Sequence, residues 1–203
     1  QFISSLQAPS SILNQRIGTS RHICVLTLKK ARFVQVAKRL NVSTNDIILA
    51  VCSTAIRNYL LSQNALPDMP LIAFVPISLR KNDTALGNQI SFIPTNLGTN
   101  NPDAIARLRL IHDSVQAGKM RAGRMTQAEF INYTAVHYAW AGINLAMRLY
   151  PAKQAFNLII SNIPGDSTPL YLNGAKLTAM YPASVLFDGQ ARNISFTNYQ
   201  DCI

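Results

Sequence analysis

The 203 residues carry 48% hydrophobic and 14% charged side chains, which supplies a core and argues against disorder. The formal net charge of +10 favours acidic partners, phosphate-bearing ligands or anionic membrane among them. Nucleic acid fits less well, because zinc spacings and dense Lys/Arg tracts are absent and the aromatics are scattered among apolar residues.

The three cysteines, Cys24, Cys52 and Cys202, are far apart in apolar segments and read as small core residues of a reducing compartment. No signal-peptide pattern opens the chain, and no apolar run approaches the roughly 20 residues needed to span a bilayer. A peripheral membrane contact stays open. The chain starts at Gln1 and stops at Ile203 just after a strand-like run, so a fragment cut at both ends is expected. The length fits one domain or a large half of a two-part enzyme.

Residues 1–20 are small and polar, with Pro9 and Gly18, and predict a linker lying on a surface. Residues 21–28, with Ile23, Val25, Leu26 and Leu28, predict a strand. From 30 to 40, Phe33, Val36, Ala37 and Leu40 recur at helical spacing. Ser43-Thr44-Asn45-Asp46 opens a longer helix. Ser43 caps it, while Asp46 is the acidic member of a capping-box variant and suits the positive end of the helix dipole. Ile47-Ile48-Leu49-Ala50-Val51 makes its start apolar nearly all round, which predicts burial.

Residues 70–76 predict a second strand and 78–87 a polar loop. Residues 89–97 predict a third strand, which Pro94 assigns to an edge or a bulge. Asn101-Pro102-Asp103 starts a helix whose stripe is Ile105, Leu108, Ile111 and Val115, with Arg107 and Arg109 pointing elsewhere. Residues 118–123 predict a flexible basic link between glycines. Thr126-Gln127-Ala128-Glu129 is a capping box; it launches a helix to about Leu149, ended by Pro151, with Gly142 as a weak point or close-packing site.

The apolar run 155–163 predicts a strand buried on at least one face. Asn157 inside it is costly to bury unless hydrogen-bonded. Pro164 and Gly165 turn the chain, leaving Ser161 and Asn162 at a strand tip from which side chains reach a cleft. Asn173-Gly174 predicts a two-residue hairpin, Asp188-Gly189 a turn, and 194–199 an alternating strand. Helices come in pairs between strands and strands then come in a run, which predicts an α/β layer with a mixed sheet covered by helices.

No P-loop, dinucleotide fingerprint or nucleophile elbow is present. His22, His112 and His137 lack a carboxylate or second histidine at metal-ligand spacing and read as core or surface residues. His137, near Tyr133 and Tyr138, is a weak candidate to line a pocket. The chain offers polar groups at strand tips and helix starts, within a cationic field. Such groups bind and polarise a ligand rather than abstract a proton. Lys119, Arg121 and Arg124 read as a solvated loop or as a phosphate or membrane contact.

Several segments in order carry a resemblance. They are Pro9 with Leu13-Asn14 and Arg21; Asn45-Asp46 followed by Leu49-Ala50; Asn157 with Ser161-Asn162-Ile163-Pro164-Gly165; and Asn173-Gly174, Tyr181-Pro182 and Asp188-Gly189 with Asn193-Ile194. Together they resemble the C-terminal half of the bacterial wax ester synthase/diacylglycerol acyltransferase family. The resemblance implies a CoA-dependent acyltransferase-like (chloramphenicol acetyltransferase-like) fold, with two α/β halves around a tunnel. It implies residues 1–20 as linker and 21–203 as the C-terminal acyltransferase domain. The implied activity transfers a fatty acyl group from acyl-CoA to diacylglycerol or a long-chain alcohol, with no cofactor beyond the acyl-CoA substrate and no metal. The family's general base, in a His-His-x-x-x-Asp-Gly motif of the N-terminal half, does not occur in this chain, so the fragment alone is expected to be inactive. Asn45, Asp46, Asn157, Ser161 and Asn162 are the expected active-site wall. His137 and Gly142 are expected at the substrate tunnel, and Lys119, Arg121 and Arg124 near CoA phosphates or membrane. The expected location is cytoplasmic, peripheral to the inner membrane face or lipid inclusions. The alternatives are a non-catalytic lipid- or CoA-binding module, and a condensation-type or alcohol acyltransferase domain of the same fold. Two departures stand out. Asp166 follows Pro-Gly where a second proline is common, and Arg192 replaces a usual Leu, where a charge needs a partner or an exit to solvent.

Overall fold

Helix α1 (Lys30–Leu40) and helix α2 (Thr44–Ser62) form where the apolar spacing predicts them. Asn41 ends α1 in the left-handed conformation, and its backbone N–H bonds back to Ala37 and Lys38. In α2 both arms of the capping box are made: Ser43 Oγ accepts from Asp46 N, and the Asp46 carboxylate accepts from Ser43 N. Ile47, Ile48 and Leu49 are buried, whereas Val51 is 48% exposed, so the burial predicted from the apolar start holds for one side of the helix and not all round. The computed structural model describes residues 8–78, 90–147 and 155–203.

Four strands make the main sheet: β1 (Ile72–Ser78), β2 (Ile90–Asn96), β3 (Leu158–Ile163) and β6 (Asn193–Thr197), in the order β2-β1-β3-β6. β2 lies antiparallel to β1, and β1, β3 and β6 are parallel to one another. Pro94 is thus in an edge strand, where a missing N–H is tolerated. The β1/β3 ladder covers only Ala73 with Leu158 and Phe74 with Ile159. It stops short of Pro76, which has no N–H to donate.

Alternation sorts the two sheet faces. Ala73, Val75, Ile93, Leu158 and Ile160 pack with Leu49, Ile56 and Leu60 of α2, and with helices α3 (Ala104–Arg124) and α4 (Gln127–Ala146) through Ile111, Val115 and Phe130. On the other face Phe74 stacks between Phe92 at 4.8 Å and Phe156 at 4.3 Å. The result is a mixed sheet covered by helices. A short exposed hairpin, β4 (Tyr171–Leu172) and β5 (Ala175–Lys176), turns through Asn173 and Gly174, both with positive φ, as the dipeptide predicts.

Several expectations are corrected. The flexible link at 118–123 does not form, because α3 runs unbroken to Arg124. Gly118 is there to let the helix approach the sheet: a Cβ on it would stand 3.0 Å from Ile93 Cβ. Arg107, expected away from the core stripe, is only 3% exposed. Its guanidinium donates to the carbonyls of Asn101 and Pro102 and to Thr54 Oγ1, and burial pulls its pKa down. Residues 8–20 are not a mere surface linker, since Leu13 joins the core and Asn14 is buried. Residues 21–28 form no strand. Their end is tied down by paired backbone bonds between Leu28 and Ile203 and by Thr27 Oγ1, 3.0 Å from Tyr181 Oη, while Ile23 and Leu26 are 77% and 73% exposed.

Cys24 is exposed, contrary to a core reading. Cys52 fits that reading: burial pushes its thiol up to about 11. The expected end of α4 near Leu149 and Pro151 lies outside the described residues.

Candidate functional site

The first turn of α2 meets the far end of β3. Asn45 is the second residue of α2, and Asn162 is the last but one of β3. Asn162 Nδ2 donates to Asn45 Oδ1 across 3.4 Å. The positive end of the α2 dipole lies at the same place. Just beyond, the chain turns at Pro164 and Gly165. A Cβ at Gly165 would fall 1.6 Å from the Asn198 carbonyl oxygen, so no other residue fits. That close crossing holds the end of β3 against the segment leaving β6.

Ser161 is not part of this pair. Successive strand side chains point to opposite faces, so Ser161 lies on the face away from α2. Its ladder neighbour is Ser195. Ser195 Oγ lies 3.1 Å from Ser184 Oγ and donates to Asn193 Oδ1 at 2.9 Å. The tip therefore carries two polar groups, one on each face of the sheet.

Asp46 is fully buried. Its Oδ2 accepts from Ser43 N at 3.0 Å and meets His112 Nδ1 at 2.9 Å. Its Oδ1, like Asn162 Oδ1, finds no partner among the described residues. His112 of α3 is the residue that sequence reasoning missed. A signal was present: His112 stands four residues after Leu108 and between Ile111 and Val115, on the stripe that α3 buries. A polar residue on such a stripe needs a partner.

Asn157 is not at a wall. It is fully buried and saturated: Oδ1 accepts from Ile72 N at 2.9 Å, while Nδ2 donates to Pro9 O at 2.7 Å and Asn14 Oδ1 at 2.8 Å. Asn14 Nδ2 in turn donates to the carbonyls of Asn157 and Gly189. This clasp ties residues 8–14, β1, β3 and the 188–189 turn together.

The basic cluster is divided. Arg121 Nη1 donates to Tyr133 Oη at 2.8 Å, and its guanidinium lies 5.6 Å from that ring's centroid, which joins α3 to α4. Lys119 and Arg124 are exposed. His137 and Gly142 belong to α4, and their surroundings lie outside what is described. Arg192 has both an exit and a partner: it is exposed, with its guanidinium 5.1 Å from the Tyr59 ring centroid. Asp166 stabilises its own turn by accepting from Thr168 N and Oγ1. Those hydrogen bonds hold its carboxyl below the usual carboxylate range.

Among the described residues no group of three His, Cys, Asp or Glu side chains is arranged to hold a metal. The meeting of Asn45 and Asn162 offers amide donors and a helix dipole in one place. Donors of this kind stabilise a carbonyl oxygen that gains negative charge.

Residues 86–203 match the family model described as the WS/DGAT C-terminal domain. The chain is 52% identical over 199 residues to an O-acyltransferase WSD of Acinetobacter baylyi, covering 98% of this chain and 43% of that protein. It superposes on the wax ester synthase/diacylglycerol acyltransferase from Marinobacter aquaeolei with a TM-score of 0.86 and 39% identity, covering 96% of this chain and 44% of that one. The starter condensation domain of rhizomide synthetase, solved with C8-CoA, shares the fold at a TM-score of 0.50 and 12% identity, over 95% of this chain and 40% of that one. The chain thus spans less than half the length of the relatives it matches.

Proposed function

The chain belongs to the wax ester synthase/diacylglycerol acyltransferase family, and on that premise we propose that it is one half of an O-acyltransferase. The reaction moves a fatty acyl group from acyl-CoA to diacylglycerol or a long-chain alcohol. The observation that carries this reading is the contact between Asn45 and Asn162, 3.4 Å apart at the positive end of α2.

This chain has no adjacent histidine pair, so the base is supplied by the other half of the longer protein. That base takes the proton of the acceptor hydroxyl. The oxygen attacks the thioester carbonyl carbon, the C=O electron pair moves onto oxygen, and collapse of the tetrahedral intermediate expels the CoA thiolate. Asn45 accepts from Asn162 through Oδ1, which leaves its Nδ2 as a donor for the oxyanion. Asn162 helps to orient that amide. The α2 dipole adds to the stabilisation. α4, with His137 and Gly142, is the proposed wall of the acyl tunnel. Lys119 and Arg124 face CoA phosphates or an anionic lipid surface. No helix among the described residues is long and apolar enough to cross a membrane, and the proposed location is peripheral, at the inner membrane face or lipid inclusions.

The test uses the full-length protein with acyl-CoA and either hexadecanol or diacylglycerol. Asn45→Ala is expected to lower kcat about 100-fold, the loss typical of one oxyanion donor. Asn162→Ala is expected to cost roughly 10-fold through lost orientation. Unchanged kcat in both variants, in folded protein, removes this site from the chemistry.

A further inference from the structure

The described residues hold capping boxes at the starts of α2 and α4, and they differ in one respect. In the box at Thr126 and Glu129, the carboxylate is exposed and accepts from Thr126 N and Oγ1. Helix capping needs nothing more. In the box at Ser43 and Asp46, the carboxylate is fully buried and a second element is attached to it: His112 reaches Asp46 Oδ2 at 2.9 Å from α3, 66 residues away in sequence. One oxygen takes both donors while Oδ1 has none among the described residues. Removing His112 would leave Asp46 with the Ser43 N–H alone, and a buried carboxylate with one donor is poorly compensated.

The consequence falls on Asn45. It precedes Asp46 in the first turn of α2, and its side chain meets Asn162 through one long hydrogen bond of 3.4 Å. A contact of that length does not fix an amide by itself. The first turn is fixed by the cap, and the cap is fixed by His112. We propose that His112 is a positioning residue: through Asp46 it holds the first turn of α2 so that Asn45 is presented to the reacting carbonyl beside Asn162. Facing a carboxylate oxygen, which accepts, imidazole Nδ1 is assigned as the donor. The role is therefore held by one N–H, in a defined place, and not by general base chemistry.

The inference rests on the acyl-transfer reading, and its test separates the two. It uses full-length enzyme, assayed with acyl-CoA and hexadecanol or diacylglycerol. Inactive wild-type protein overturns the acyl-transfer reading and this inference with it; active wild-type protein leaves this inference to the variants. Asparagine sets its amide nitrogen near the place of imidazole Nδ1, whereas glutamine sets it near Nε2. His112→Asn should keep kcat within about 3-fold, and His112→Gln, equally polar, should lose roughly 10-fold, the scale of a small misplacement of a reacting group. KM for acyl-CoA should move less than about 2-fold in both, since substrate binding is not the role. The decisive readout is coupling. In an Asn45→Ala background, His112→Gln should cost almost nothing further, because the residue it positions is gone. Equal kcat for the Asn and Gln variants, or a Gln loss that persists in full without Asn45, overturns the proposal.

Discussion

At the scale of single residues, Asn157 shows how much one amide can hold. Its two donors and one acceptor connect Pro9, Asn14 and Ile72, three points distant in sequence. Asn157→Asp keeps the shape and removes both donors, turning a carboxylate toward the Pro9 carbonyl and the Asn14 amide oxygen. The expected cost is about 3 kcal/mol or more, the range for an uncompensated buried charge, read as a lower urea midpoint with an unchanged m-value in full-length protein. Loss of less than about 1 kcal/mol would mean that the clasp relaxes around the change. The apolar run around Asn157 made its burial and its need for partners legible. The partners were not, because Pro9 and Asn14 lie more than 140 residues upstream and nothing local marks them. The same holds for Asp46: its cap on Ser43 was legible from a spacing of three, and its contact with His112 was not.

At the scale of elements, glycine content misled where packing decided. Gly118 and Gly123 sit five residues apart with Lys119 and Arg121 near them, a composition that reads as a flexible link. Helix α3 continues through both, because Gly118 lets it close on Ile93 and Arg121 anchors it to Tyr133. Tertiary contact overrides the weak helix propensity of glycine. The two glycines should therefore respond oppositely to alanine. Gly123 has no atom within 4 Å of a new Cβ, so Gly123→Ala should stabilise by up to about 1 kcal/mol. Gly118→Ala gains the same propensity but forces its Cβ to 3.0 Å from Ile93 Cβ and Cδ1, and should lose about 1–3 kcal/mol through overpacking. Thermal unfolding of both variants checks this, and a stabilised Gly118→Ala would show that α3 sits less tightly on β2 than described. The predicted strand at 21–28 failed for the converse reason. Its apolar content suits a strand, but a strand needs a neighbour along its length, and only its end meets one, where Leu28 pairs with Ile203 and Lys29 bridges Cys202.

For the whole molecule, the class of fold was legible from the order of helix and strand patterns, while the strand order was not. Parallel neighbours such as β1 and β3 are separated by some 80 residues, and their pairing is set by how α2, α3 and α4 cover one face. Net charge acts at this scale as well. On the proposed reading, an excess of +10 attracts the phosphates of acyl-CoA over distances comparable with the Debye length, about 10 Å at 0.1 M salt. Raising ionic strength from about 0.05 to 0.5 M should therefore raise KM for acyl-CoA several-fold and leave kcat nearly constant, since screening weakens encounter and not the chemical step. Lys119 and Arg124 are exposed near the end of α3, whereas Arg121 is held by Tyr133, so the first two are the charges free to meet a ligand. The double reversal Lys119→Glu with Arg124→Glu should raise KM at low salt and flatten its dependence on salt. If KM keeps its salt slope but binding to vesicles rich in anionic lipid falls, this end of α3 faces the membrane. If neither quantity moves, the attraction is spread over the whole surface and these two residues have no special part in it.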